Sequence, residues 1–162
     1  MLKNFLRTFV IGKVVSLLLI GTAWAVPTKV EIFAHAIAHA EGYGVAHAIP
    51  TVCNNPGDLK GAKFEGQVGL CKGGHARFKN AAYGWNALYN QIDKMISGQS
   101  RVYHASMTFR EVARLYAGDS KRWLKNVCAA MGIVPEATLS LYFDIRQDYV
   151  TQSIDWTFWE GL

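Results

Sequence analysis

The stretch "HAIAHAEGYG", residues 35–44, decides the organisation of this 162-residue chain. Apolar residues recur at helical spacing from residue 32 to residue 40, which predicts an amphipathic helix. The glycine at position 42 is of the type that commonly ends helices. The sequence therefore predicts a first helix whose last side chain before the glycine is the carboxylate of Glu41.

The sequence beyond this helix changes character twice. From Tyr43 to Lys79, Gly, Asn and Pro residues separate short apolar pieces, a pattern typical of loops and a small β-hairpin. No linker or repeat divides the chain, and its length suits one domain. We expect an α+β fold, mainly α, in which a β-hairpin lobe follows the first helix. Further helical patterns occupy residues 81–98, 108–118, 119–132 and about 135–150.

Residues 1–25 have the features of a secretory signal peptide. Three basic residues open the segment, an apolar run follows, and Ala23-Trp24-Ala25 forms an A-x-A-like cleavage site. The alternative, a retained membrane anchor, is disfavoured because residues 14–25 are fewer than the ~20 that a span needs. We expect a mature domain at residues 26–162 that works in the periplasm or outside the cell, with membrane contact only if the leader is retained.

The net charge of the mature chain is small. The whole chain has a formal charge of +5, but the leader holds three of the 17 basic residues and no acidic one, which leaves +2. No basic block interleaved with aromatic residues is present, so we expect no nucleic-acid partner. A mildly cationic exported protein suits an anionic envelope polymer.

Export permits disulfides, and the chain has three cysteines, Cys53, Cys71 and Cys128. Cys53 and Cys71 enclose a Gly-rich segment, whereas Cys128 lies within an apolar helical pattern. We therefore expect a disulfide between Cys53 and Cys71 and a buried free thiol at Cys128. A zinc site made by all three is disfavoured, since no close C-x-x-C pair is present.

Glu41 has a position that suits a proton donor. The negative pole of the helix dipole and desolvation by apolar neighbours both disfavour its ionised form and so raise its pKa. A carboxyl group that stays protonated near neutral pH can protonate the leaving oxygen of a glycoside. From position alone, the alternative is an exposed glutamate at a frayed helix end.

Side chains that recognise sugars follow downstream. The segment Asn54-Asn55-Pro56-Gly57-Asp58-Leu59, here called the amide turn, offers amides that pair with sugar hydroxyl and N-acetyl groups, although Asn and Asp also build turns. Aromatic rings stack on sugar faces, and Tyr43 and Tyr103 lie in loop-like stretches rather than on an apolar helix stripe. We expect Asn54, Asn55, Tyr43 and Tyr103 to contact substrate.

Four segments together resemble the lysozyme-like peptidoglycan hydrolases of phages and bacteria, a group related to lytic transglycosylases: "AIAHAEGYG", "AIPTVCNNPGDLKG", "ARFKNAAYGWNALYNQI" and "MTFREVARLYAGDSKRWLKNVCAAMGI". The resemblance covers roughly residues 30–140, and its most specific pieces are Ala-Glu-Gly and Asn-Asn-Pro-Gly. It implies a lysozyme-like helical domain with a β lobe across a substrate cleft, and Glu41 as the general acid. "LYAG" also resembles the Tyr-Asn-Ala-Gly motif of lytic transglycosylases without its Asn, which makes Tyr116 a further substrate-binding candidate.

The resemblance implies cleavage of the β-1,4 bond between N-acetylmuramic acid and N-acetylglucosamine in peptidoglycan glycan strands, without a cofactor. We expect a monomeric lytic transglycosylase in which Glu41 protonates the glycosidic oxygen and then, as base, helps the muramoyl 6-hydroxyl attack the anomeric carbon. The alternative is a hydrolytic muramidase with Asp58 as second carboxylate, Glu65 being a weaker candidate partner. A further alternative is a non-catalytic glycan-binding or structural component of an envelope or virion machine.

Three histidines offer a rival interpretation. His35 and His39 lie four positions apart on one helix face, and His47 follows in a loop, so a zinc site that also uses Glu41 can be drawn. The segment "HAIAH" lacks the glutamate that directly follows the first histidine in zincins. We therefore expect no metal.

Overall fold

The described part of the protein is mainly helical with a small antiparallel sheet, which confirms the predicted mixture of elements. The computed structural model describes residues 27–61 and 63–143. A turn of 3-10 helix, Lys72–Gly74, joins the two strands. In chain order the elements are α1 Lys29–Glu41, α2 Ile49–Val52, β1 Gln67–Leu70, β2 Ala76–Phe78, α3 Ala81–Ile96, α4 Phe109–Tyr116 and α5 Ser120–Met131.

Helix α1 begins and ends with well-defined caps. The Thr28 hydroxyl accepts a hydrogen bond from the N–H of Glu31, and the Glu31 carboxylate accepts one from the N–H of Thr28. Gly42 ends the helix with a φ of 83°, a left-handed conformation that glycine adopts without strain. Glu41 is therefore the last helical residue, as the sequence predicts.

The stretch from α2 to β2, here called the β lobe, consists of loops around the short sheet. Strands β1 and β2 pair antiparallel with Gln67 opposite Phe78, and a register shift follows in β1. A disulfide joins Cys53, at the end of α2, to Cys71, between the strands. The lobe is thus closed covalently as well as by its hydrogen bonds.

Helices α1, α3, α4 and α5 enclose the main core. Helix α1 packs against α5 and α3, and α4 packs against α5. The Phe33 ring of α1 is fully buried and meets the Phe109 ring edge-on at a centroid distance of 5.4 Å. Because α1 is held by two other helices, its carboxyl end has a fixed place. Other fully buried side chains of this core are Ile37, Leu88, Ile92, Met95, Val112 and Val127.

Helix α3 lies directly against the amide turn at Gly84. A Cβ atom on Gly84 would lie 1.8 Å from the main-chain oxygen of Asn54 and 2.8 Å from Pro56. No other residue type leaves room for this approach, which joins the β lobe to the helical core.

The last helix begins later than the sequence predicts. Pro135 lies in a turn, and the helical residues start at 139. The Thr138 hydroxyl accepts a hydrogen bond from the N–H of Leu141 and so caps a helix that starts after Thr138 and not at about residue 135. The expected end of this helix, the leader at residues 1–25 and its cleavage site lie outside the described residues. No helix within the described ranges is long and apolar enough to cross a membrane.

Candidate active site

A cleft of about 600 Å³ opens where the end of α1, the β lobe and helices α3, α4 and α5 meet. Four residues predicted for the site line it together: Glu41, Asp58, Tyr103 and Tyr116. They come from the end of α1, the amide turn, the loop after α3 and the end of α4. The structure therefore brings both candidate carboxylates into one cavity.

Glu41 has the protonation behaviour of a proton donor. Burial raises its pKa from 4.5 to about 7, and the neighbouring charge of Asp58 adds to the rise. The indole N–H of Trp123 and the guanidinium of Arg122 oppose the rise by favouring the carboxylate. Nε1 of Trp123 is buried and completes no aligned hydrogen bond, so this opposing contact is weak. Glu41 therefore keeps its proton up to about neutral pH.

Asp58 is held in the amide turn by a histidine. Its backbone has a φ of 48°, a left-handed conformation that Asp tolerates better than most residues. Nδ1 of His75 lies 2.8 Å from Oδ1 of Asp58 and 2.9 Å from its main-chain oxygen. Of the two contacts, only the one with the main-chain oxygen is an aligned hydrogen bond; Oδ1 lies close to Nδ1 but does not accept a hydrogen bond from it.

The carboxyl groups of Glu41 and Asp58 ionise at different pH. Burial raises the pKa of Asp58 from its ordinary 3.8, while His75 and Lys60 counteract the rise by stabilising the carboxylate. The charge of Asp58 raises the pKa of Glu41, so Asp58 is already ionised when Glu41 releases its proton. Near neutral pH the cleft therefore pairs a protonated carboxyl with a carboxylate.

Asn54 and Asn55 do not contact the cleft, which corrects the expectation that they bind substrate. Asn55 is fully buried; its amide donates to the main-chain oxygens of Leu59 and Ala76 at 2.9 Å each, and its oxygen accepts from the N–H of Leu59 at 2.9 Å. Asn54 donates to the main-chain oxygen of Phe78 at 3.2 Å. Both amides fasten the amide turn to β2, and the buried side chain of Asn55 has no donor left for a sugar.

Tyr116 fastens the amide turn from the side of the helices. Its hydroxyl donates to the main-chain oxygen of Gly57 at 2.7 Å, and its ring stacks on Trp123 at a centroid distance of 5.1 Å. Burial raises the pKa of Tyr116 well above its ordinary value, so the hydroxyl remains a donor. The Tyr103 ring lies 6.4 Å from the Tyr116 ring. Together the two rings form an aromatic wall of the cleft.

Tyr43 lies outside the cleft, which corrects a second expectation. Its ring meets Trp85 edge-on at 5.6 Å, and His35 lies over the same Trp85 at 4.6 Å. The indole of Trp85 thus offers the Tyr43 ring an aromatic partner, and Tyr43 is not among the residues that line the cleft. Glu65 is exposed and does not line the cleft.

The side chains of His35, His39 and His47 are exposed and do not gather around Glu41. Within residues 27–61 and 63–143, no group of three or more His, Cys, Asp or Glu side chains is arranged to hold a metal ion.

The cysteines are arranged as the sequence predicts. Cys53 and Cys71 form a disulfide, and Cys128 is a buried free cysteine. The disulfide connects the start of the amide turn to the loop that carries His75. It therefore stabilises the part of the lobe that faces the cleft.

Sequence reading missed several residues of the cleft. His75, Lys60 and Lys94 line it, and nothing in their local sequence marks them as site residues. Arg122 and Trp123 also line it, and their position just after "LYAG" was the available signal.

No protein-family model, no curated protein and no solved structure matches this chain. A functional assignment therefore depends on the chemistry of the cleft.

Proposed function

We propose that the protein cleaves the β-1,4 bond between N-acetylmuramic acid and N-acetylglucosamine in peptidoglycan, with Glu41 as the general acid. The observation that carries the proposal is the pKa of Glu41, raised to about 7 by burial in an open cleft. A half-buried carboxyl group is costly for folding, and such groups in clefts are characteristic of acid–base sites. The sequence resemblance supplies the substrate class.

A lysozyme-like fold is part of the same proposal. Its support is the order of the elements: a first helix that ends at the acid, then a small β lobe, then the helices that complete the cleft. The aromatic wall formed by Tyr103 and Tyr116 fits the apolar faces of sugar rings.

In the first step Glu41 donates its proton to the glycosidic oxygen while the bond from that oxygen to the muramic acid anomeric carbon breaks. N-acetylglucosamine leaves with a free 4-hydroxyl, and positive charge develops on the muramic acid ring. Asp58, ionised in the same cleft, stabilises that charge.

The second step can follow either of two chemical routes. In hydrolysis, water attacks the anomeric carbon, a carboxylate takes the proton of the water, and a reducing muramic acid end results. In transglycosylation, the muramoyl 6-hydroxyl attacks instead, Glu41 takes its proton, and a 1,6-anhydro end results. The presence of Asp58 near Glu41 favours hydrolysis, in contrast to the transglycosylase mechanism expected from the sequence.

The test is the variant Glu41→Gln, compared with Glu65→Gln at an exposed site outside the cleft. We expect Glu41→Gln to lower the clearing rate of purified peptidoglycan by about a thousandfold, because the amide has no proton to give. Binding to insoluble peptidoglycan should persist, and Glu65→Gln should leave both properties unchanged. Equal clearing by Glu41→Gln and wild type would remove Glu41 as the acid. Binding without clearing by the wild type would favour a glycan-binding component.

A further inference from the structure

We propose that His75 is a positioning residue that orients the Asp58 carboxylate toward the anomeric carbon. This inference rests on the proposed function. Nδ1 of the ring lies between two oxygens of Asp58, at 2.8 Å from Oδ1 and 2.9 Å from the main-chain oxygen. The main-chain oxygen can only accept a hydrogen bond, so Nδ1 carries a proton. The hydrogen bond to the main-chain oxygen fixes the ring beside the amide turn, and the same N–H lies 2.8 Å from Oδ1 of the carboxyl group.

The His75 ring is held in place by its own loop. The main-chain N–H of Cys71 donates to the main-chain oxygen of His75 at 2.7 Å, and the N–H of Gly74 donates to the oxygen of Cys71 at 3.2 Å. The ring lies against Gly73, where an added Cβ would be 3.1 Å from ring carbon Cδ2. The disulfide from Cys71 to Cys53 anchors the loop. The main chain that carries the ring is therefore fixed by bonds of its own loop.

The loop of His75 and the amide turn form one unit. Lys60 and His75 pair as an isolated antiparallel bridge. The N–H of Ala76 donates to the main-chain oxygen of Leu59 at 2.8 Å, directly next to Asp58. The N–H of Gly61 likewise donates to the main-chain oxygen of Gly74 at 3.1 Å, so main-chain bonds flank His75 and join its loop to the residues that follow Asp58.

Several described groups face Asp58. Lys60 belongs to the lobe, Glu41 ends α1, and Tyr116 ends α4. The Tyr116 hydroxyl is already bonded to the main chain, and His75 has its donor atom 2.8 Å from Oδ1. His75 is thus the group placed to stop the carboxylate from rotating away from the developing positive charge. It acts through Asp58 and not on the substrate.

The first test is a pair of substitutions at His75 of nearly equal shape. His75→Leu removes the donor, whereas His75→Asn keeps a donor close to the place of Nδ1. We expect His75→Leu to lower kcat by about tenfold to a hundredfold with KM nearly unchanged, and His75→Asn to restore most of the loss. In an Asp58→Asn background the same His75→Leu change should alter kcat by less than about twofold. Equal losses in both backgrounds would show that His75 does not act through Asp58.

Two NMR measurements do not depend on turnover and so separate this inference from the proposed function. In the neutral ring of the wild-type protein, the proton of His75 should be on Nδ1; a proton on Nε2 alone overturns the inference, whatever the variants do. The carboxyl carbon of Asp58 should titrate at a higher pH in His75→Leu than in wild type. The control His104→Leu, at an exposed histidine outside the cleft, should leave the titration unchanged. An unchanged Asp58 titration in His75→Leu contradicts the inference.

Discussion

Glu41 should reduce the stability of the folded protein above neutral pH, and replacing it should reverse that effect. The pKa of Glu41 is raised from 4.5 to about 7, so the folded protein binds this proton more tightly than the unfolded chain does. The contribution of Glu41 to the free energy of unfolding is therefore fully present below about pH 4.5 and is lost as the pH rises to about 7. The full shift corresponds to about 3.4 kcal/mol, which solvent screening of this incompletely buried group reduces to about 1 to 2 kcal/mol.

The variant Glu41→Gln isolates this effect, because the amide keeps the shape of the side chain but does not ionise. We expect its free energy of unfolding to exceed that of the wild type by about 1 to 2 kcal/mol at pH 8 and to match it at pH 4. Urea unfolding monitored by tryptophan fluorescence, with the disulfide intact, measures both values. Glu65→Gln, at an exposed position, is the control and should show no such pH-dependent difference. If Glu41→Gln is no more stable relative to wild type at pH 8 than at pH 4, Glu41 does not have a raised pKa.

Three other predictions concern the cleft and the amide turn. Clearing of peptidoglycan suspensions should fall as the pH rises through about 7, because Glu41 then loses its proton. Any activity left in Asp58→Asn should fall at a lower pH, because the Asp58 charge that raises the pKa of Glu41 is gone. Gly84→Ala should destabilise the protein by more than about 3 kcal/mol in urea unfolding, since the new Cβ atom would lie 1.8 Å from a main-chain oxygen of the amide turn. The control Gly118→Ala has open space around the new Cβ atom and should change the free energy of unfolding by less than about 0.5 kcal/mol. Asn55→Leu should cost about 3 kcal/mol in the same assay, because three main-chain groups each lose one hydrogen bond inside the lobe.

Local patterns were sufficient to predict the elements that carry the acid. The helical spacing before Glu41 and the glycine after it predict where α1 ends, and the structure agrees. The spacing of Cys53 and Cys71 around a Gly-rich segment likewise predicts their disulfide. These features depend on residues that are close in sequence or on simple pairing, so no knowledge of packing was needed.

Long-range packing decides the rest of the site. Asn55 has the side chain of a sugar-binding residue, but its partners at Ala76 and Leu59 become visible only when the turn is folded onto β2. Conversely, His75 carries no local signal, since its contact with Asp58 joins residues 17 positions apart. A sequence pattern identifies which side chains can do chemistry, whereas burial decides which of them are free to do it.

The most direct test of the central claim is mass analysis of the soluble products that the wild-type protein releases from purified peptidoglycan. We expect disaccharide fragments that end in reducing N-acetylmuramic acid, one water heavier than anhydro ends, and essentially none from Glu41→Gln. Anhydro ends would keep Glu41 as the acid but replace water by the muramoyl 6-hydroxyl as the attacking group. Release of free peptides, or of fragments without new muramic acid ends, would contradict cleavage of the bond between N-acetylmuramic acid and N-acetylglucosamine.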